Sequence, residues 1–543
     1  MLKKRFFKRL AIGLTALMMT TVLASCSGGD SSENKIVYNI SEEEQTIDPG
    51  LNQSLNAGTL IQNSFEGLTR ISPETKKPDP AAAEKWEISE DGTVYTFHLR
   101  QGMKWSDGQP VTAKDFQFAW TRALSKETAS PYSEILMYIK GGHDYFEGKA
   151  QVVEGIKVID DNTLQVTLEA PTAFFLELTS FPTYMPLRED VVKDDSWATK
   201  PETYITNGPM VLKEWRPKDI MVYEKNPNYW NQDAVKLDKL EVRMISEPTN
   251  ALNAFKTGEL DYMEKPPAQE VPALLADGTA KQYQNIGTYM YMFNISDKMK
   301  EKNPEAYKAL SNQKVRKAIA LAIDRKAIVE TATKGGEVPA NSIVPPGIVD
   351  ANGNDFKSKE YFPVEGNVEE AKKLLAEAGY PNGQGFPEIE LLYNVGSGHE
   401  QIAQAVQEML RKNLNINVKL SNQEWKVFLS SMTEQNFDMC RKGWIGDYMD
   451  PSTMLKLFKT GASNNQTGFS NPKVDELLQK AAVELDETKR FDLYHQAEAI
   501  IMEEMPVVPI YYYTDIVLMN PSIKGLHKSP LGFISFYTAY KEQ

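Results

Sequence analysis

The chain is short of cysteine and histidine. It has 543 residues but only two cysteines, Cys26 and Cys440, and five scattered histidines: His98, His143, His399, His495 and His527. A disulfide-stapled scaffold is excluded, so stability has to come from an apolar core, and the length leaves room for two or three domains. No metal signature emerges. "HEQIA" at 399 begins like a zinc-protease helix, but Ala403 stands where the second His is needed. "DANGNDF" at 350 begins like a calcium loop, but Tyr361 occupies the position of the closing Glu. There is no Gly-x-Ser-x-Gly elbow and no Walker-type phosphate loop. Positive charge is the minority, with 60 basic against 74 acidic side chains, which argues against nucleic acid as a partner. Long apolar runs and internal repeats are missing too. The one apolar run, from about Leu10 to Ala24, falls short of the roughly 20 residues of a membrane span.

That run has a different meaning. It follows a basic cluster (Lys3, Lys4, Arg5, Lys8, Arg9) and ends in Leu23-Ala24-Ser25-Cys26, which is the pattern of a secretory leader. The ending resembles the lipobox of bacterial lipoproteins. That resemblance implies cleavage before Cys26, a diacylglyceryl group on its sulfur, and an extracytoplasmic body tied to the cell membrane through lipid. "SGGDSSEN", residues 27 to 34, reads as a flexible tether. Loss of the five leader cations, with no acidic residue among them, takes the formal net charge from −14 to −19. Cys440 is then a lone thiol in an apolar strand, most simply a small core residue.

From Lys35 onward short strands and helices alternate. "TVYTFHLRQGMKW" reads as strand, and "VTAKDFQFAWTRAL" as a helix capped by Thr112. "IKVIDDNTLQVTLEAP" reads as two strands around an Asp-Asp-Asn turn, and "NQKVRKAIALAIDRKAIVE" as one helix. In the last third, strands at "EIELLYNV", "INVKL" and "FDMCRKGW" alternate with helices at "HEQIAQAVQEMLRKNL" and "NQEWKVFLSSMTEQ". This βαβαβ run implies a largely parallel sheet, with a ligand site beyond the carboxyl ends of its strands. Residues 443 to 448, Asn394 and His399 fall at such ends.

The stretch "AEKWEISEDGTVYTFHLRQGMKWSDGQPVTAKDFQFAW" (83 to 120) resembles the signature of the large peptide-binding proteins of ABC importers. "TIDPG", "FEGL", "TASPY", "TNGPM", "NPNYW", "GELDY", "VRKAIALAIDR", "NQEWKVFL", "GWIGDYMDP" and "PVVPIYYY" follow in the order of the oligopeptide-binding branch. The resemblance implies an α/β fold: a two-lobed class II clamp with an extra inserted domain. On that pattern 1–25 is the leader and 26–34 the lipid-anchored tether. Lobe I is 35–69, 188–288 and 510–543, the inserted domain 70–187, and lobe II 289–509. It implies a monomeric receptor that binds an oligopeptide between closing lobes and hands it to permease subunits, with no cofactor, metal or catalysis. Asp447 is the expected partner of the peptide's α-ammonium. Gly443, Trp444 and Ile445 are the expected strand edge for its backbone, and Asn56, Ala57 and Gly58 the opposite backbone segment. Tyr132, Asn253, Asn394, His399, Trp425, Arg441 and Tyr513 are expected to line pockets.

The chain departs from its enteric relatives at three places. Their disulfide across the site is replaced by Gly287 and Ile445, an Arg-His pair by Met432 and Thr433, and a Glu by Met292. The far end of the site is therefore less charged, and a fixed short peptide length is not implied. The physics of "GWIGDYMDP" agrees with the resemblance. Glycines let a ligand backbone approach, a strand edge binds any peptide backbone, and a carboxylate at its end sets register on the ammonium. The alternative for this segment is that Asp447 caps a following helix and Trp444 belongs to the core. For the whole protein the alternatives are a narrower ligand (a dipeptide, a signalling peptide or a cell-wall peptide) or a secreted hydrolase.

Overall fold

The computed structural model describes residues 33–542, apart from 195, 351 and 397. The expected leader and Cys26, the expected point of lipid attachment, lie outside the described residues. The first ordered strand is β1 (Lys35–Ile40), and α1 (Leu55–Ser64) follows, with Ser54 as its cap. Next comes a small antiparallel sheet of β2 (Ala83–Ile88), β3 (Val94–Leu99), β4 (Ile156–Asp160) and β5 (Thr163–Thr167), in spatial order β2-β3-β5-β4. Burial alternates along β3, as expected of a sheet with one face inward. Between β3 and β4 lies α2 (Ala113–Leu124), opened by a reciprocal Thr112–Asp115 capping box. The expected strand from 93 to 105 ends early, at Leu99, because Gly102 turns the chain at φ 76°.

The chain then lays down β6 (Met210–Arg216), β7 (Ile220–Lys225), β8 (Lys239–Met244), β9 (Tyr262–Glu264) and the long β10 (Ala280–Phe293). After α3 (Gln313–Leu321) come β11 (Ile389–Asn394), α4 (His399–Leu414), β12 (Val418–Gln423), α5 (Trp425–Thr433) and β13 (Met439–Ile445). The last two elements needed here are α6 (Glu487–Glu504) and β14 (Val507–Met519). The main sheet runs β12-β11-β13-β10-β14-β9-β1-β8-β7-β6. As expected, β11 is parallel to both β12 and β13, so their carboxyl ends share one edge.

Two large apolar cores divide along the chain. One is drawn from Ile286 to Tyr511; the other joins residues from Ile36 to Tyr262 with Val517 to Ala539. The strands β10 and β14 pass from one to the other, and their ladder slips between Gln284 and Thr288 at the crossing. Among the described residues, Tyr448 is the single buried residue that the 289–509 stretch sends into the opposite core. The helix expected over 312–330 is interrupted after Leu321 and restarts at Arg325, behind the Asp324 cap. The cause is the fully buried Arg325. Its guanidinium donates to Ala320 O (3.0 Å), Ile323 O (2.9 Å) and Pro509 O (2.7 Å), closing the carbonyl end of α3. Asn34, expected to be loose tether, is pinned. Its backbone N–H donates to Asp238 Oδ2, its amide nitrogen to Ala539 O, and its amide oxygen accepts from Lys541 N–H.

Among the described residues no helix is long and apolar enough to cross a membrane, and no group of three His, Cys, Asp or Glu is placed to hold a metal. Cys440 is buried, and that burial pushes its thiol well above the usual range.

Candidate functional site

The site grows from the end of β13. On one side β13 pairs with β10 along its whole length, from Met439↔Phe293 to Ile445↔Gly287. On the other side β11 pairs with it only as far as Leu392↔Cys440. From Arg441 to Ile445 this second edge therefore has no strand partner among the described residues. Ile445 is 50 % exposed. Gly443 keeps the strand close to its neighbours, since a Cβ there would run into the Tyr513 hydroxyl and stand 2.9 Å from Arg441 Nη2. Gly287 and Ile445 face each other in the ladder.

Beyond Ile445 the chain turns. Gly446 N–H donates to Ile286 O at 2.6 Å, Asp447 N–H to Thr453 Oγ1 at 3.0 Å, and the Trp444 indole N–H to Thr453 O at 2.8 Å. The helical turn Ser452–Leu455 is capped by Asp450, whose Oδ1 accepts from Ser452 N–H at 2.9 Å. Asp447 is thus relieved of capping. Its carboxylate meets Lys456 Nζ at 3.4 Å. Burial raises the pKa of Asp447, and Lys456 opposes that rise.

The same loop docks on residues between β5 and β6. The Tyr448 ring stacks on Phe174 at 4.2 Å, and Met449 N–H donates to Glu177 Oε2 at 2.8 Å. Burial, and then the Asp450 carboxylate, push Glu177 up to about 8. Asp450 itself is held by Arg490 of α6 at 3.0 Å. A cavity of about 350 Å³ opens beside Asp447, lined also by Phe181, Phe65, Arg70 and Phe533. Tyr132 packs on Phe181 and is pushed up to about 12 by burial, then by Asp447.

Arg441 gathers most of the remaining expected residues. Its guanidinium donates to Asn394 Oδ1 (3.3 Å) and to the Tyr513 hydroxyl (3.2 Å), and lies over the Tyr289 ring. Its Nε has no hydrogen-bond partner, and no carboxylate pairs with it among the described residues. His399 opens α4 with Nδ1 3.3 Å from the Tyr289 hydroxyl, and burial, then Arg441, hold it down at about 4. Trp425 opens α5, half exposed at the same sheet edge.

The remaining expected residues stand on helices. Asn56, Ala57 and Gly58 lie in the first turn of α1, where Gly58 N–H bonds Ser54 O at 2.9 Å. The extended backbone that precedes this turn ends at Ser54 (φ −110°, ψ 140°). Asn253 is exposed on the helix Pro248–Lys256, which packs into a separate apolar cluster with Leu260 and Met263, away from the Asp447 loop. Three participants had no signal in the sequence: Lys456, Phe174 and Glu177.

Comparison with known proteins decides the family. The model for bacterial extracellular solute-binding proteins, family 5, matches residues 77–466. The oligopeptide-binding protein OppA of Bacillus subtilis is 38 % identical over 98 % of this chain and 99 % of its own. The chain belongs to family 5 of the bacterial extracellular solute-binding proteins. Two solved structures align with it over 94 % of its length. The unliganded open form of the murein tripeptide-binding protein MppA has 33 % identity, a TM-score of 0.77 and 98 % of that chain covered. OppA of Listeria monocytogenes bound to peptide has 32 % identity, a TM-score of 0.74 and 100 % covered. The architecture is accordingly the two-lobed α/β clamp of class II, and the family is one of solute-binding proteins.

Proposed function

We propose that the protein is an extracytoplasmic peptide receptor, lipid-anchored through Cys26, that binds oligopeptides between its lobes and delivers them as a monomer to an ABC importer without changing them. The observation that carries this reading is the unpaired edge of β13 from Arg441 to Ile445, with Asp447 at its end. A peptide laid along that edge gains backbone hydrogen bonds whatever its sequence, and its ammonium meets a carboxylate. Asn394, His399, Trp425 and Tyr513 surround the edge, and Tyr132 faces Asp447 from the other side of the cleft. Arg441, a guanidinium without a carboxylate, is placed to receive the carboxylate of a short ligand.

The division into lobe I (35–69, 188–288, 510–543), inserted domain (70–187) and lobe II (289–509) is part of the same proposal. The separation of lobe II from the rest is supported by the two cores and by the crossing of β10 and β14 between them; the inserted domain shares a core with lobe I and is supported by its own four-stranded sheet. The test is native mass spectrometry of the protein purified from cells, followed by calorimetry with the peptides released. Co-purified peptides recovered intact are the expected result. A protein that carries none, and gives no heat with a mixed tri- to hexapeptide library, would overturn the proposal; cleaved peptides would turn it toward a hydrolase.

A further inference from the structure

The ammonium subsite at Asp447 is filled from within the chain. Lys456 Nζ lies 3.4 Å from Asp447 Oδ2, 5.0 Å from the centroid of the Tyr448 ring and 5.8 Å from that of Trp444. A carboxylate flanked by aromatic rings is the set of groups a ligand ammonium would seek. Asp447 is the only hydrogen-bonding or ionic partner of the Lys456 amine among the described residues. With its side chain 31 % exposed, Lys456 has a route out to solvent.

We propose that Lys456 is a built-in occupant of this subsite, and that the receptor therefore accepts N-acylated peptides nearly as well as free ones. The inference rests on the reading of Asp447 as the ammonium's partner. With a bare, buried carboxylate, a blocked peptide would strand an unpaired charge, costing roughly 10²- to 10⁴-fold in affinity. Here Lys456 stays in place and the carboxylate keeps its counter-charge. A free peptide must instead push Lys456 into solvent or share Asp447 with it, and gives up part of its gain. Discrimination between the two termini is compressed from both sides. The blocking group also has somewhere to go, since the cavity of about 350 Å³ is lined by Asp447 itself, with Tyr448, Phe181 and Phe533.

The test is calorimetry with tetra-alanine and N-acetyl-tetra-alanine on four proteins: unmodified, Lys456→Met, Lys456→Arg and Lys456→Met with Asp447→Asn. In the unmodified protein and in Lys456→Arg, the two peptides should bind within about tenfold of each other. In Lys456→Met the free peptide should bind more tightly, and the gap should widen to roughly 10²-fold or more. An equal gap with and without Lys456, or a gap of about 10²-fold already present in the unmodified protein, overturns the inference alone. The double variant separates the underlying reading. If adding Asp447→Asn to Lys456→Met leaves the affinity for tetra-alanine unchanged, Asp447 is not the ammonium's partner. Failure of both peptides to bind any of the four proteins overturns both.

Discussion

Replacing Asp447 by Asn keeps the shape of the loop and removes one charge. The side chain is 17 % exposed, close to Lys456 and walled by Tyr448. A charge pair at about 4 Å with an effective dielectric near 20 is worth about 4 kcal/mol. Lys456 already satisfies part of that carboxylate, so the share a ligand ammonium wins is held to about 1.4 kcal/mol, or tenfold. In the variant, however, the two ammonium groups also repel each other with no anion between them. The loss for a free peptide should therefore fall between about 30-fold and about 1,000-fold in Kd. An N-acetylated peptide, which makes no ion pair there, should lose little. Isothermal titration at pH 7 and low salt measures both, and a thermal melt of the empty variant should lie close to that of the unmodified protein. The pH dependence gives a second reading. Burial raises the pKa of Asp447, and binding needs the carboxylate, so affinity for free peptides should fall as the pH drops through that raised value. The variant should lose this slope. A variant that binds free peptides within about threefold of the unmodified protein, with an unchanged pH slope, would refute the argument.

Gly443→Ala should weaken peptide binding by at least about tenfold, read by calorimetry. Its methyl group collides with the Tyr513 hydroxyl and crowds Arg441, and overpacking of this kind costs on the order of 1–3 kcal/mol. Glu177→Gln should raise stability at alkaline pH. The carboxyl of Glu177 is pushed up to about 8 when folded, against about 4.3 unfolded, so its contribution is full below the unfolded value and is lost as pH rises through about 8. Glutamine does not titrate and keeps an acceptor for Met449 N–H. The two proteins should match near pH 4 and differ by roughly 3–5 kcal/mol above pH 8 in denaturant titrations; equal pH profiles would reject this account. Cys26→Ala should yield protein without acyl groups by intact mass, either uncleaved or shed from the membrane fraction.

The parts of the molecule that were legible beforehand are those written in local pattern. The βαβαβ run from Ile389 to Ile445 announced a parallel sheet by its alternating periods, and β11 is parallel to both its neighbours, with Asn394 at its carboxyl end bonded to Arg441. The Thr112–Asp115 capping box was equally local. What escaped depends on partners far away in sequence. Arg325 breaks a periodic helix because it is needed by Pro509 O, and Glu177 matters only because Met449 arrives against it. Asp447 and Asp450 look alike on paper, yet one caps a helix and the other is left to Lys456. That Asn56–Gly58 open a helix behind the Ser54 cap was likewise not read from the sequence.

The pinning of Asn34 between Asp238, Ala539 and Lys541 bears on how a newly made chain reaches this state. Synthesis delivers Tyr38, Leu60 and Phe65 some 470 residues or more before Ile534 and Phe536, which share their core. The stretch from β10 through α6 has by then been made, with a core of its own, and can fold early. Tyr38, Leu60 and Phe65 must wait with part of their core missing until residues 517–539 arrive. Early release of the ribosome, or a frameshift near the 3′ end of the message, would therefore leave a half-built product with an open apolar seam, prone to aggregation and to attack by quality-control proteases.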